Sequence, residues 1–315
     1  MTRIHSALLA SLLALGIVGV APTAAPAVAP DGLECLGGFD DPDPTHQPVL
    51  LVHGTFTNGW EHWSWNWYEV LAEEGFDVCV ITLPDRSLGD MQGQGETVRD
   101  AIRHIAAQSG DQVDVMGHSQ GAVHPRWAVK WWPDVRASVD DMVMLAGPQH
   151  GTELGGSGES PFGCFESCWQ MMPPSQYLAA LNADDETPGD IDYTSIYSAF
   201  DELVQPQFPE STSALDGGTN LLIQAVCPGR PVDHAFMMVD GAVEALVRDA
   251  FTKPGTADVE RAGGLLGVCT RTFMDGADPV GHATVIMARD FQEGFPNFHP
   301  SNAEPPLECY ATGGC

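Results

Sequence analysis

The chain of 315 residues carries 13 basic against 43 acidic side chains, a formal net charge of −30. That surplus excludes binding to nucleic acid or to an anionic membrane by charge attraction, and it reads as a solvated surface that keeps the protein soluble. With 43% apolar residues, the chain has enough material for the core of one large α/β domain.

The first 27 residues combine an early Arg3, an apolar stretch from Ala7 to Val20 and a small-x-small Ala25-Pro26-Ala27 site. This is the pattern of a secretory signal, since the apolar stretch is shorter than the about 20 residues a bilayer span needs. A secreted protein is expected, with residues 28–315 as a single domain. The eight cysteines, at 35, 79, 164, 168, 227, 269, 309 and 315, then suggest four disulfides in an oxidising compartment. Cys164 with Cys168, and Cys309 with Cys315, pair by proximity. A metal cluster of those first two with His150 is the weaker alternative, and no metal or cofactor is expected.

Pro48 to Val52 predicts a buried strand ending at His53-Gly54, and Val78 to Thr82 a second strand. Between them Trp60, Trp63, Trp67, Val70 and Leu71 fall three or four apart, which predicts an aromatic helix packed on the sheet, with a lipid-facing role left open for Trp65. A crossover helix is expected over Glu96 to Gln108, then strands at Val113 to Met116, Met142 to Ala146 and Thr194 to Ala199, and an apolar strand from Leu221 to Val226. Asp240 to Phe251 reads as a further helix, and about 252–315 as irregular. Strand alternating with helix means a mostly parallel sheet flanked by helices, with a ligand crevice at the carboxyl ends of the strands.

The segment Gly117-His118-Ser119-Gln120-Gly121 is Gly-x-Ser-x-Gly after a Val-rich strand and before a helix expected from Ala122 to Trp132. A serine on such an elbow sits in strained backbone geometry, and the strand and helix close around it only where glycines lack side chains. Ser119 is therefore the candidate nucleophile. It needs a histidine to take its proton and an acid to orient that histidine, and in this arrangement both follow the serine, acid first. Downstream histidines are His150, His234, His282 and His299. His234 lies on a loop after an apolar run, and Asp201 directly follows a strand, with Asp184, Asp185, Asp190, Asp192 and Glu202 as other acids. The elbow also calls for an oxyanion donor from Gln120 and another from the loop after the first strand.

Gly151 to Asp190 breaks the βα rhythm with Gly, Pro and large apolar residues, among them Phe162, Phe165, Trp169, Met171 and Met172. Loops of that length are usually functional, so this one is read as a cap or lid of about 151–190 in preference to surface decoration. Trp169 and His118 are the expected substrate contacts.

Tyr197 to Gln207, Gln224 to Cys227 and Asp233-His234, together with Leu50-Leu51-Val52-x-Gly54-Thr55 and Ser119-Gln120-Gly121, resemble the Candida antarctica lipase B-like lipases of the α/β-hydrolase superfamily. The resemblance covers about Cys35 to Cys269. It implies Ser119 as nucleophile, Asp201 as orienting acid and His234 as general base. It implies an oxyanion hole of the Thr55 and Gln120 amides with the Thr55 hydroxyl, and disulfides Cys35 to Cys79 and Cys227 to Cys269. His118 stands where that family has a tryptophan, so a more open pocket for the alcohol group is expected. His53-Gly54 is similar to the His-Gly opening of bacterial lipases, which points to a bacterial relative. The function so implied is cleavage of carboxylic esters of lipids by a monomer with transient contact to a lipid–water interface. Alternatives are acyl transfer or polyester hydrolysis on the same triad, and a secreted binding protein with a dead hydrolase fold.

Overall fold

The computed structural model describes residues 28–39, 46–153, 164–277, 293 and 299–315; the expected signal segment, Phe162 and His282 lie outside these described residues. A seven-stranded sheet in the order β1-β3-β2-β4-β5-β6-β7 forms the centre. Its strands are β1 (Leu33–Leu36), β2 (Val49–Val52), β3 (Val78–Ile81), β4 (Val113–His118), β5 (Val139–Leu145), β6 (Asp192–Tyr197) and β7 (Thr219–Leu222). β1 runs antiparallel to β3, and every other neighbouring pair is parallel.

Around the sheet stand α1 (Gly59–Trp63), α2 (Trp67–Glu73), α3 (Met91–Ser109), α4 (His124–Trp131), α5 (Pro133–Arg136), α6 (Glu166–Met171), α7 (Gln176–Leu181), α8 (Ile223–Val226), α9 (Gly241–Thr252) and α10 (Gly264–Cys269). β2 reads VLLV and is buried along its whole length, as a central parallel strand covered on both faces must be. Because successive side chains point to opposite faces, Val49 and Leu51 join Trp63, Trp67, Leu71 and the α9 residues Val243 and Leu246 in one core. Leu50 and Val52 join Val98, Ile102 and Ile105 of α3 and Val129 of α4 in the other. α3 starts on Asp90, whose side chain accepts from the Gln92 amide, and stops at Gly110 with φ 76°, a left-handed C-cap that glycine adopts without steric cost.

Several elements depart from the sequence expectation. The aromatic helix is two helices, because Asn66 turns the chain and caps α2 by accepting from the Trp67 amide. Trp60 is exposed, whereas Trp65 is buried, donates from Nε1 to the Glu61 carbonyl and lines the cavity at the carboxyl ends of the strands. The expected strand from Leu221 to Val226 splits into the end of β7 and the turn of α8, since a short apolar run does not by its pattern distinguish a strand from a buried helical turn. The helix after the elbow begins later, at His124, which puts Pro125 in its first turn, where its missing amide hydrogen costs nothing. The stretch after Pro254, read as irregular, contains α10.

The structure joins Cys35 to Cys79, Cys164 to Cys168, Cys227 to Cys269 and Cys309 to Cys315. The sulfurs of Cys164 and Cys168 are thus spent on each other, and His150 Nε2 meets the Glu186 carboxylate at 2.9 Å, so the alternative metal cluster of these three is not formed. The described part of the 151–190 region consists of α6 and α7, and the C-terminal segment lies across them. Ser301 accepts from Trp169 Nε1, and the Glu304 carboxylate accepts the Gln176 and Tyr177 amides. The Gln92 side chain bridges Pro306 and Glu308, and Tyr310 lies against Trp127 and Trp132.

Candidate active site

The carboxyl ends of β2, β4 and β6 and the loop after β7 meet around one cavity of about 420 Å³. Gly54 and Thr55 follow β2, Ser119 follows β4, Leu203 and Val204 follow β6, and His234 comes from the last loop; all line that cavity. Ser119 has φ 58°, the left-handed region that a non-glycine residue occupies only at a steric cost. The glycines explain how the surroundings hold it there. A Cβ on Gly117 would lie 2.1 Å from the Gly121 carbonyl oxygen, and one on Gly121 would lie 2.3 Å from that of Val52. Gly54 lets its loop approach Ser119 itself, since a Cβ there would stand 3.0 Å from Ser119 Cβ.

Asp201 and His234 are both buried, with His234 Nδ1 2.8 Å from Asp201 Oδ2. The other carboxylate oxygen accepts the amides of Leu203 and Val204 at 2.9 and 2.8 Å. Burial alone pushes the Asp201 carboxyl up, but the hydrogen bonds and the His234 imidazole outweigh it and hold the group below the usual carboxylate range. Asp201 is thus a fixed anion that consumes His234 Nδ1–H and leaves Nε2 for the cavity. Of the other acids, Glu202 accepts the His234 amide at 3.1 Å.

His118 lines the cavity and lies fully inside the protein. Its Nε2 is 2.9 Å from the main-chain oxygen of His234, so that nitrogen carries the proton; its Nδ1 then accepts from His62 Nε2 at 3.0 Å. Burial lowers the His118 imidazole to about 3 and drives His62 well below its ordinary value, so both rings are neutral and their tautomers are set by the chain of bonds. His53 is fixed in the same way. Nδ1 donates to the Gly54 carbonyl at 2.7 Å and Nε2 accepts the Leu83 amide at 2.8 Å, with burial lowering the ring to about 4. Residue 118 was expected as a substrate contact from the sequence; the ties to His234 and His62 had no signal there, because hydrogen bonds across 116 and 56 residues leave no local pattern.

Thr55 Oγ1 donates to Gln120 Oε1 at 2.6 Å, Gln120 Nε2 donates to Gln94 Oε1 at 3.1 Å, and the same oxygen of Gln94 takes the Ser87 hydroxyl at 2.7 Å. The side chain of Gln120 is therefore held from both ends. The Thr55 hydroxyl proton points at Gln120 in this structure, so it reaches a bound oxyanion only by rotating about its C–O bond. Two lining residues, Phe56 and Glu61, are joined by Arg86, which donates to the Phe56 carbonyl at 2.6 Å and ion-pairs with the buried Glu61.

Helix α6 and its N-cap Phe165 present Phe165, Cys168 and Met171 to the cavity, three residues apart and so on one face. Phe165 meets Phe56 edge to face at 5.5 Å. Trp169 falls on another face, is not part of the lining, and bonds to Ser301 as above.

The model of the family Lipase (class 2) matches residues 46–221, more than half of the chain and the stretch from β2 into β7. The chain belongs to the class 2 lipase family. Lipase B of Pseudozyma antarctica is 34% identical to this family member over 209 residues, which are 65% of this chain and 60% of that protein. The triacylglycerol lipase of Pseudomonas fragi is 34% identical over 120 residues, 37% of this chain and 39% of the other. The chain thus spans less than two thirds of these curated relatives. Among solved structures, Aspergillus fumigatus lipase B superposes with a TM-score of 0.80 at 27% identity, over 89% of this lipase family member and 70% of that chain. The mature Bacillus licheniformis lipase BlEst2 gives 0.51 at 15% identity, over 75% and 93%, which is a likeness of fold. The fold is that of the α/β-hydrolases.

Proposed function

We propose that this class 2 lipase family member is a secreted serine hydrolase that cleaves carboxylic esters of lipids through an acyl-enzyme. The observation that carries the proposal is the convergence of a strained Ser119 and the Asp201-oriented His234 on one largely apolar cavity. Ser119 Oγ attacks the ester carbonyl as His234 Nε2 takes its proton, and the imidazolium so formed is steadied by Asp201. The Thr55 and Gln120 amides bind the tetrahedral oxyanion, His234 protonates the departing alcohol, and it then activates a water that releases the acid and frees Ser119. The apolar lining by Phe165, Met171, Leu203 and Met238 suits an acyl chain. The likeness to the triacylglycerol lipase of Pseudomonas fragi supports acylglycerols as the substrate class. His118, smaller than the tryptophan of the lipases the sequence resembles, leaves room for the alcohol portion. Four disulfides support export; we take the molecule to act as a monomer that touches a lipid–water interface in passing.

The test is turnover of p-nitrophenyl esters from acetate to palmitate and of emulsified tributyrin and triolein, by the purified protein beside Ser119→Ala. Serine-dependent turnover that reaches long chains and emulsions supports a lipase. Turnover confined to short soluble esters makes it a carboxylesterase, and absence of serine-dependent turnover rejects the proposal.

A further inference from the structure

At the opposite, amino-terminal end of the same strands lies a second cavity, of about 350 Å³, whose walls are acidic. Asp114 is the second residue of β4, and Asp140 and Asp141 follow the first residue of β5. The pairing of these strands shifts register between Val113 and Val115, so that two residues of β5 oppose the single Asp114. This bulge is what gathers three carboxylates at one spot, and one oxygen from each lies within 4.8 Å of the others.

Asp114 and Asp141 are only 1% and 6% exposed. The Asp141 amide donates to Asp114 Oδ1 at 3.3 Å and fixes that carboxylate. Asp114 Oδ2 and Asp141 Oδ1 are nonetheless buried with no hydrogen-bond partner. Leaving carboxylate oxygens dry and unpaired is costly, and a cation or a proton must relieve it. The other charged groups that face the cavity do not do so. Asp111 and Asp192 add negative charge, and Lys253 lines the wall, yet among the described residues no ion pair joins a base to any of the three. Arg261 acts on Asp141 only from a distance, being paired with Asp249. Burial pushes the Asp114 carboxyl well up and that of Asp141 to about 8, with the neighbouring acids adding to the rise.

We propose that Asp114, Asp140 and Asp141 form a binding site for a divalent cation of the calcium type, filled out by water and by oxygens of the cavity wall. Hard cations of this size take oxygen ligands at about 2.3–2.6 Å in flexible geometry, and three carboxylate oxygens within 4.8 Å of one another can share one such ion. Five residues of strand, roughly 16 Å, separate Asp114 from Ser119. The ion would therefore serve stability by tying β4 to β5, and the proposal does not depend on the hydrolase activity.

The whole protein, stripped with EDTA and passed over chelating resin, is titrated with calcium chloride at pH 8 by calorimetry and by thermal unfolding. Saturable one-to-one binding, with a dissociation constant of about 10⁻³ M or tighter and a Tm that climbs with calcium, is expected. Asp114→Asn/Asp141→Asn should abolish both while raising the Tm of the metal-free protein, because it removes the unpaired charges. Asp140→Asn, half-buried and tolerant, should weaken binding at least tenfold and covers the case of a double variant that does not fold. No saturable binding by the native protein up to about 10 mM calcium would mean that protons alone relieve the cluster, and the proposal fails. It fails equally if Asp140→Asn or the double variant binds as the native protein does, since the ion would then be held by the acidic surface at large.

Discussion

His118 Nε2 donates to the main-chain oxygen of His234 across 2.9 Å, so the residue before the candidate nucleophile holds the backbone of the candidate general base. Both ring nitrogens of His118 are used, and the position of the His234 loop depends on them. Substitution of His118 by Phe strips that carbonyl and His62 Nε2 of their partners at about 1–3 kcal/mol each. It should lower kcat by about 10²-fold through misplacement of the imidazole, with a smaller change in KM. His118→Gln, whose Nε2 can donate to the same oxygen, should recover most of the loss. Steady-state kinetics of the two variants on one soluble ester decide the matter, and equal loss in both would argue that His118 acts by shape alone.

Asp201→Asn leaves the geometry nearly unchanged but can present a donor to His234 Nδ1, which favours the wrong tautomer. A fall in kcat of about 10⁴ is expected, against about 10⁶ for Ser119→Ala. Circular dichroism should show both variants folded. Full activity of Asp201→Asn would move the role to Glu202, the acid on the His234 amide.

Gly121→Ala puts a methyl group 2.3 Å from the Val52 carbonyl oxygen and 2.4 Å from that of His53. Both are backbone atoms of a central strand end and cannot swing aside. A loss of ~3 kcal/mol in unfolding free energy is expected by urea titration, together with loss of activity as the elbow opens.

Two groups of buried residues should bend the stability profile in opposite directions. The folded protein lowers His53 to about 4 and His118 and His124 to about 3. It then binds fewer protons than the unfolded chain below about pH 6.5, and the stability present above that pH is lost as the pH falls, by up to ~1.4 kcal/mol per unit for each ring. Asp114 and Asp141 are raised, Asp141 to about 8. Folding therefore takes up protons between about pH 4 and 8, and the stability present at the acid end is lost as the pH rises. The metal-free protein should lose Tm from about pH 6.5 to 8, and Asp114→Asn/Asp141→Asn should flatten that limb alone.

The sheet and the elbow could be seen in the sequence because β2 and β3 are short apolar runs and β4 opens on Val113 and Val115, and because Gly117 and Gly121 announce the steric demand at Ser119. The order of acid and histidine narrowed the remaining partners to a few positions. What stayed hidden depends on register or on distant contacts. The break at Asn66 turns on one side chain capping one amide, and the split of Leu221 to Val226 on where the sheet edge stops. The acidic cluster at Asp114 has no signal in the sequence, because it arises only where the register shift sets two acids of β5 against one of β4. The bonds among His62, His118 and His234, and those among Thr55, Gln120 and Gln94, join residues far apart in the chain that no spacing rule connects.

The C-terminal segment ties into α6, α7 and α3: Ser301 to Trp169, Glu304 to the start of α7, and Pro306 and Glu308 to Gln92 at the start of α3. Helices α6 and α7 and the end of the chain are thus one clasp, and the buckle lies on the outside of the molecule. A fusion partner or tag attached beyond Cys315 would pull on that buckle, and a chain cut before Ser301 would release it. Either change leaves every residue that lines the cavity unaltered, yet it loosens the hold on α6, from which Cys168 and Met171 reach that cavity.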